Sequence, residues 1–430
     1  MVSVQFLALL LLAVNIAAVV QLWRLRNGLV WLGGSRGHEP ESGPEKHMDV
    51  PLDQETAVIL CVRGADPSLP DCLAGLTMQT HSQYTVHAVA DHASDPALPW
   101  LSRSAALDQR IQLHQLASPP VAHRGLKVSA ILQVLRELPS TVKHVAFIDS
   151  DVIPHSSWLC ELTAPLSQDA VVATTGTRWF MPARDNFGSL VRQEWNYYAN
   201  AIIVQHQMLW GGSFATRADE LRQAVQRELW ADTLCEDTCL ADLLRRQGRP
   251  AVIVPMTAMI NRETCSLRGA CDFITRQLVF TRMYLSAGLE IVLFGVTFSL
   301  LCLVSTVAVA VLAVTGPVDA WLVTLVAYLL LHGSVLALEQ VGSQIPGILQ
   351  PHRNCGRPPR SWKLLPAQFV CAGVSLVASL RALLATSLTW RGIQYRIQRR
   401  HPRIQMVQYR PFAEVLASDR SFRGTGGRSI

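Results

Sequence analysis

Apolar positions follow two different patterns along this chain: long unbroken runs near the ends, and short bursts in between. Residues 2–23 read VSVQFLALLLLAVNIAAVVQLW without a charge. Residues 291–318 and 320–338 are likewise uncharged. Residues 364–380 form a fourth run, which Arg381 interrupts before apolar sequence resumes up to Trp390. About 20 apolar residues in a helix cross a hydrocarbon core of roughly 30 Å. The pattern therefore predicts a membrane helix at the amino end and, by the simple count, three spans near the carboxyl end. The stretch 364–390 is left open: a third span, a re-entrant segment, a helical hairpin or an interfacial helix. In the first run the positive charges, Arg24 and Arg26, follow the apolar stretch. A cleaved signal carries its charge in front, so the run reads as a retained anchor.

The middle of the chain has a shorter rhythm. Thr56–Val62, Tyr84–Ala90, His144–Ile148, Ala170–Thr174 and Ala251–Val254 are strand candidates. Asp71–Gln79, Leu126–Leu138 and Asp237–Arg245 suit helices. Strands alternating with helices predict an α/β domain with a largely parallel sheet covered on both faces. Residues 27–50, with Gly28, Gly33, Gly34, Pro40 and Pro44, read as a linker. The expected organisation is an anchor at 1–26, a linker at 27–51, a soluble domain at 52–283, membrane helices at 284–397 and a basic tail at 398–430.

Composition supports a membrane protein. Half of the 430 residues are hydrophobic and 16% are charged, against about 25% in a soluble domain. Basic residues favour the cytosolic side. Arg24 and Arg26 place the soluble domain there, and so does the loop carrying Arg353, Arg357, Arg360 and Lys363. From 340 to 413 there is no acid, and Arg391, Arg396, Arg399, Arg400, Arg403 and Arg410 crowd the end. A full fourth span would carry that tail outside, against the rule. Anionic lipid headgroups are its expected partner. The net charge of +6 comes largely from these membrane-flanking arginines, so no nucleic-acid partner is expected. The ten cysteines lack the paired short spacings of a zinc site, and they read as free thiols.

The strongest chemical signal is Asp149-Ser150-Asp151, directly after a strand. Ligands of open α/β sheets bind beyond the carboxyl ends of the strands. Two carboxylates there suit Mn2+ or Mg2+ and, through it, a diphosphate. A turn stabilised by local Asp and Ser hydrogen bonds is the plainer alternative. Glu236-Asp237 opens a helix, either as dipole partners or with Asp237 as a general base for an acceptor hydroxyl. Asp91 ends the second strand, with Asp95 as a substitute. Arg63 and Lys127 are candidate nucleotide-side cations. Trp210-Gly211-Gly212-Ser213 reads as a tight loop whose glycines permit close approach of backbone to ligand. Trp179, Trp195, Tyr197 and Tyr198 read as core rather than as an acceptor path.

Eight pieces in a fixed order carry a resemblance: VRGADPSLPDCL at 62–73, ADHASDPA at 90–97, Lys127 within GLKVSAI, FIDSDVIP at 147–154, WGGSFATR at 210–217, EDTCLADLLRRQG at 236–248, TRQLVFTR at 275–282 and TWRGIQYRI at 389–397. Together they resemble the family-two glycosyltransferases, most closely the ceramide glucosyltransferase-like branch. The resemblance implies a GT-A, Rossmann-like nucleotide-sugar domain, a UDP-sugar donor and a ceramide-like lipid acceptor. It implies that Asp91 reads the uracil or ribose. It gives the metal and diphosphate to Asp149 and Asp151, with Asp151 the direct ligand, and the role of base to Asp237. The family's (Q/R)xxRW motif is altered, because Val279 and Phe280 stand where Arg and Trp belong. Arg276, Gln277 and Arg282 are the expected replacements. A processive polysaccharide synthase and a non-catalytic scaffold of the same fold are the competing readings. The expected setting is a multi-pass protein of a bacterial inner membrane or a eukaryotic endomembrane.

Overall fold

The computed structural model describes residues 2–34, 55–117, 120–350, 361–398 and 403–418. Helix α1 (Val2–Gly34) leads into a soluble unit. There β1 (Thr56–Val62), α2 (Leu69–Thr77), β2 (Tyr84–Ala90), α3 (Leu98–Leu107), β3 (Ile111–Gln115), α4 (Leu126–Glu137) and β4 (His144–Ile148) alternate strictly. β1 is apolar at nearly every position because both its faces are covered. α5 (Trp158–Thr163), β5 (Ala173–Thr175), β6 (Arg178–Phe180), α6 (Phe187–His206), β7 (Ser213–Arg217), α7 (Ala218–Gln226), α8 (Glu236–Arg246), β8 (Val252–Ile253), β9 (Met259–Asn261) and α9 (Leu267–Tyr284) complete the unit.

Seven strands form one sheet in the order β3-β2-β1-β4-β7-β5-β8. The first four are parallel, and β7 runs antiparallel to both β4 and β5. The strand order reverses at β1, which lies between β2 and β4, and a crevice opens at such a reversal. β6 and β9 pair as a separate two-stranded ribbon beside it. The five predicted strands all appear. β3, β6, β7 and β9 are additional, and their short, mixed sequences explain why periodicity did not mark them.

The membrane layer consists of α1, α10 (Gly288–Thr315), α11 (Val318–Leu349) and α12 (Ser361–Leu384). All four are long and apolar enough to cross a bilayer. α1 and α11 lie parallel: Gln5 bonds Asp319 at one end, and Gly33 meets Ile345 at the other. α6 joins the two layers. Val191 belongs to the core of the soluble unit, whereas Tyr197 and Ala201 pack with Leu22, Leu25 and Leu29 of α1. Trp179 and Tyr197 are fully buried, as read from sequence.

Three expected boundaries need correction. Residues 27–34, expected as the start of the linker, are the last turns of α1. Two of their glycines pack instead of breaking the helix, Gly28 against Val204 and Gly33 against Ile345. The stretch 364–390 is neither a hairpin nor a helix throughout. α12 ends at Leu384, and β10 (Ser387–Trp390) and β11 (Ile393–Ile397) follow. The basic tail continues that sheet as β12 (Ile404–Gln408) and then forms α13 (Phe412–Ser418). Both ends of α12 touch the soluble unit, through Lys363–Asp185 at 2.7 Å and Arg381–Asp272 at 3.2 Å. The helix therefore returns the chain to the domain. This resolves the charge conflict, since the basic end stays on the domain's side. Nine described cysteines are free thiols, and Cys355 lies outside the described residues.

The seating of α6 in the soluble unit can be tested at Gly188. A Cβ there would lie 2.3 Å from the Ser266 backbone, whereas Gly333 has open space around it. Gly188→Ala is expected to lose about 1–3 kcal/mol, seen as a lower thermal midpoint in detergent. Gly333→Ala should hold or raise the midpoint, because alanine favours a helix.

Candidate active site

The strand register places the chemistry. Val62 pairs with Ala90, and Leu60 with Ile148. Arg63, Asp91 and Asp149 therefore leave three adjacent strands at the same carboxyl edge. Ile148 also pairs with Ser213 of β7, which brings the Gly211-Gly212 loop beside Asp149. One cavity gathers Arg63, Asp91, Lys127, Asp149, Asp151, Trp210, Gly211, Asp237, Arg276 and Gln277.

Lys127 is the node of this arrangement. Its ammonium donates to Asp149 Oδ1 at 2.7 Å and to the Gly211 carbonyl at 3.1 Å, and it lies 2.6 Å from Glu236 Oε1. Burial opposes its charge, but Asp149 and Glu236 outweigh it and hold the lysine protonated. Burial pushes the Glu236 carboxyl up to about 7, against the pull of Lys127. The contact forms because Gly125, just before α4, donates to the Thr233 carbonyl and packs on Leu234. The starts of α4 and α8 are thereby brought together.

Asp237 is held from two sides. Its Oδ2 accepts from the Gly211 N–H at 2.5 Å and its Oδ1 from the Thr238 N–H at 2.5 Å. Gly211 leaves no room for a side chain: a Cβ would lie 2.7 Å from Glu236 Oε1 and 2.8 Å from Asp237 Oδ2. Gly212 is packed in the same way under the Trp210 ring.

Asp149 and Asp151 stand together at the mouth of β4. Among the described residues, the Asp151 carboxylate has no hydrogen bond or ion pair. Burial and the neighbouring Asp149 raise its pKa. No third His, Cys, Asp or Glu joins these two among the described residues.

Asp91 is bound by Arg63, and burial raises its pKa against the pull of Arg63 and of the nearby Tyr409 hydroxyl. Asp95 does not substitute for it. Both Asp95 oxygens accept from the Gly64 N–H, and Oδ1 also accepts from the Ala97 N–H, so it shapes the loop after β1. Arg63 Nε and Nη2 donate to the carbonyls of Arg391 and Arg410. The tail expected on lipid headgroups is thus bound to the cavity wall.

Of the three expected replacements for the altered motif, Arg276 and Gln277 line the cavity and Arg282 does not. Six positions beyond Arg276, Arg282 falls on another face of α9, where it donates to the Leu383 and Ala385 carbonyls. Sequence reading missed Arg178, Arg192, Glu263 and Arg391, all of which line the cavity. Arg192 pairs with Glu263 at 3.3 Å. Arg178 lies over Phe180, Trp210 and Phe273 at 4.9–5.5 Å. An arginine inside the apolar burst Arg178–Phe180 was the available signal.

If Gly211 sets the position of Asp237, Gly211→Ala should lower turnover by about 100-fold, the usual order for an ångström of misplacement. Fluorescence or circular dichroism should still report a folded protein.

Comparison with known proteins places this geometry. The family model described as Glycosyl transferase family 21 matches residues 6–402. No curated protein sequence matches. Among solved structures, the mannosyltransferase PcManGT from Pyrobaculum calidifontis, in complex with GDP-Man and Mn2+, is 16% identical with a TM-score of 0.48, over 88% of this chain and 99% of that one. Glucosyl-3-phosphoglycerate synthase from Mycobacterium tuberculosis, in complex with Mn2+ and UDP-Glc, is 16% identical with a TM-score of 0.37, over 56% and 84%. Neither likeness is close enough to carry ligands or residue roles across. The family match spans the soluble unit, the membrane helices and most of the carboxyl-terminal sheet, and with the strand order and acidic edge just described it makes this chain a GT-A glycosyltransferase that belongs to glycosyl transferase family 21.

Proposed function

We propose that the enzyme moves one sugar from a UDP-sugar to the hydroxyl of a ceramide-like lipid, with inversion at the anomeric carbon. The observation that carries this is the convergence of Asp91, Asp149, Asp151 and Asp237 on one cavity whose lower wall is apolar. Ile203, Met208 and Phe280 form that wall. Met208 and Ile203 continue into a cluster with Leu285, Ala287 and Ile291 at the start of α10. An acceptor headgroup can meet Asp237 while its tails follow this wall toward the bilayer.

Charge supports a neutral acceptor. Six basic and six acidic side chains line the cavity. A divalent cation and a nucleotide-sugar diphosphate add opposite charges of equal size. An anionic acceptor would be left without a counter-charge.

In this reading Arg63, Asp91 and Tyr409 hold the nucleoside side. Asp149 and Asp151 fit a hard divalent cation, Mn2+ or Mg2+. Such sites use one or two carboxylates and take the remaining ligands from phosphate and water, and the unpartnered Asp151 carboxylate is suited to this. The metal would supply charge neutralisation on the diphosphate. The residues of the chain do the rest. Asp237 accepts the proton of the acceptor hydroxyl, whose oxygen attacks the anomeric carbon from the face opposite UDP. The bond from that carbon to the β-phosphate oxygen breaks, and its electron pair leaves with UDP. Arg276 and Arg178 face the charge that develops there. Lys127 and the Gly211 N–H keep Asp237 in place. Arg24 and Arg26 near the carboxyl end of α1 and the arginines after α12 favour the cytosolic face for this chemistry.

Two measurements check the proposal. Full-length protein in lipid nanodiscs, given ceramide and UDP-glucose, should yield a lipid carrying one hexose by mass spectrometry. Asp237→Asn should lower that yield about 10²–10⁴-fold, the range for loss of a general base; equal turnover would remove Asp237 from the role. Chelation with EDTA should abolish transfer, and Mn2+ or Mg2+ should restore it. Activity that survives exhaustive chelation would discard the metal.

A further inference from the structure

The hairpin β10–β11 pairs Trp390 with Ile393, so Arg391 and Gly392 make the whole turn. Both have positive φ, 44° and 77°. This is the two-residue hairpin turn that favours Asn-Gly, Asp-Gly or Gly-Gly. An arginine at its first position is locally unfavourable, and residues held this way concentrate at functional sites. The surroundings fix the turn firmly. Arg391 Nη1 donates to the Arg63 carbonyl at 2.8 Å, and Arg63 Nε returns a bond to the Arg391 carbonyl at 3.0 Å. Val415 of α13 lies against Gly392, where a Cβ would be 2.5 Å from it. Arg391 Nη2 lies 3.6 Å from the buried Asp66 carboxylate, and the arginine side chain keeps 21% of its exposure. The tip is thus locked in place with part of its guanidinium open to the cavity it lines.

Arg391 is one of three arginines that converge there from separate elements. Arg178 comes from β6 and Arg276 from α9. Neither makes an ion pair among the described residues. They rest on aromatic faces, Arg276 on Phe273 at 5.6 Å and Arg178 on Phe180, Trp210 and Phe273. Arg178 Nε is buried without a hydrogen-bond partner among the described residues. Their crowding registers at Arg276, where burial and then Arg178 and Arg391 lower the pKa to about 10. The nearby carboxylates, Asp149 and Asp151, are those a divalent cation would occupy. Three cations held close together, two without a carboxylate partner among the described residues and the third only 3.6 Å from Asp66, suit a polyanion, and an arginine fork matches phosphate oxygens.

We propose that Arg391 binds the diphosphate of the donor and neutralises it as it leaves, taking the place of the arginine that Val279 displaces from the α9 motif. This rests on the nucleotide-sugar reading above. It gives the carboxyl-terminal hairpin a role in the reaction, beyond covering the cavity.

The turn itself supplies the test. Asparagine suits the backbone at position 391 better than arginine and carries no charge. Binding of UDP and of uridine to full-length protein in detergent with Mn2+ is measured by calorimetry for wild type, Arg391→Asn and Arg391→Lys. The readout is the ratio of UDP to uridine affinity, so partial loss of folded protein cancels. Arg391→Asn is expected to leave uridine binding unchanged and weaken UDP at least tenfold. Arg391→Lys, which keeps the charge, should recover part of that loss. An unchanged ratio in Arg391→Asn, whether both ligands hold or both weaken alike, would overturn the proposal and leave the donor reading intact. Wild-type protein that binds no UDP would overturn the donor reading and the role of Arg391 with it.

Discussion

One buried ammonium holds the site together. Lys127 joins the starts of two helices, the end of the central strand and the Gly211 loop by contacts of 2.6–3.1 Å. Two carboxylates in so enclosed a place repel each other and resist losing their water. The lysine offsets both effects and anchors the Gly211 carbonyl, while the N–H of the same residue holds Asp237. Breaking a buried ion pair by removing one partner costs about 3–5 kcal/mol. That figure is comparable to the net stability of many domains, so the node constrains the whole edge of the sheet. The remaining site residues are added around it: Asp151 two residues beyond Asp149, Arg178 behind Trp210, and Arg63 at the neighbouring strand end.

The second constraint is the boundary between water and lipid. α6 serves both sides, with Arg192 lining the cavity and Tyr197 and Ala201 in the membrane cluster. α9 repeats the arrangement, bringing Arg276 and Gln277 to the cavity and Leu285 just beyond its end to the apolar cluster. The floor of the site is therefore the roof of the membrane bundle. α12 and the three-stranded sheet then bring the chain back to the carboxyl edge of the large sheet, beside Arg63 and Asp91. Arg63 and Asp91, less than 30 positions apart in sequence, are closed over by Arg391, Tyr409 and Arg410, more than 300 positions further on.

Much of this was legible in the sequence, for a physical reason. Parallel strands buried on both faces read as continuous apolar bursts, and the edge where they end can be named residue by residue. Asp91, Asp149 and Asp151 follow directly from that rule. Asp237 and Lys127 needed the ordered motifs as well, because a charged residue in a first helical turn has an ordinary explanation. What stayed hidden depends on distant contacts. Arg178 belongs to a three-residue strand, too short for any period. Arg282 looks equivalent to Arg276 until the rotation of α9 turns it toward α12. Basic residues after a membrane run suggest lipid headgroups equally well whether they face a bilayer or, like Arg391 and Arg410, fold back onto the catalytic unit. The glycines at 28 and 33 were misread because a packed helix interface uses the same small residue that a linker does.

The altered motif on α9 shows how these constraints interact. Val279 is fully buried and Phe280 nearly so, with Phe280 edge-on to Trp390 at 6.0 Å. An arginine at 279 would have to be desolvated in the core, without a carboxylate to receive it. The phenylalanine instead supports the strand that carries the hairpin, since Trp390 is the residue directly before Arg391. One aromatic contact, Phe280 on Trp390, thus ties α9 to the turn that carries Arg391. A charge need not come from the same place in the chain to act at the same place in space. It needs a rigid element aimed at the site, and the β10–β11 hairpin, clasped by Arg63 and covered by α13, is such an element.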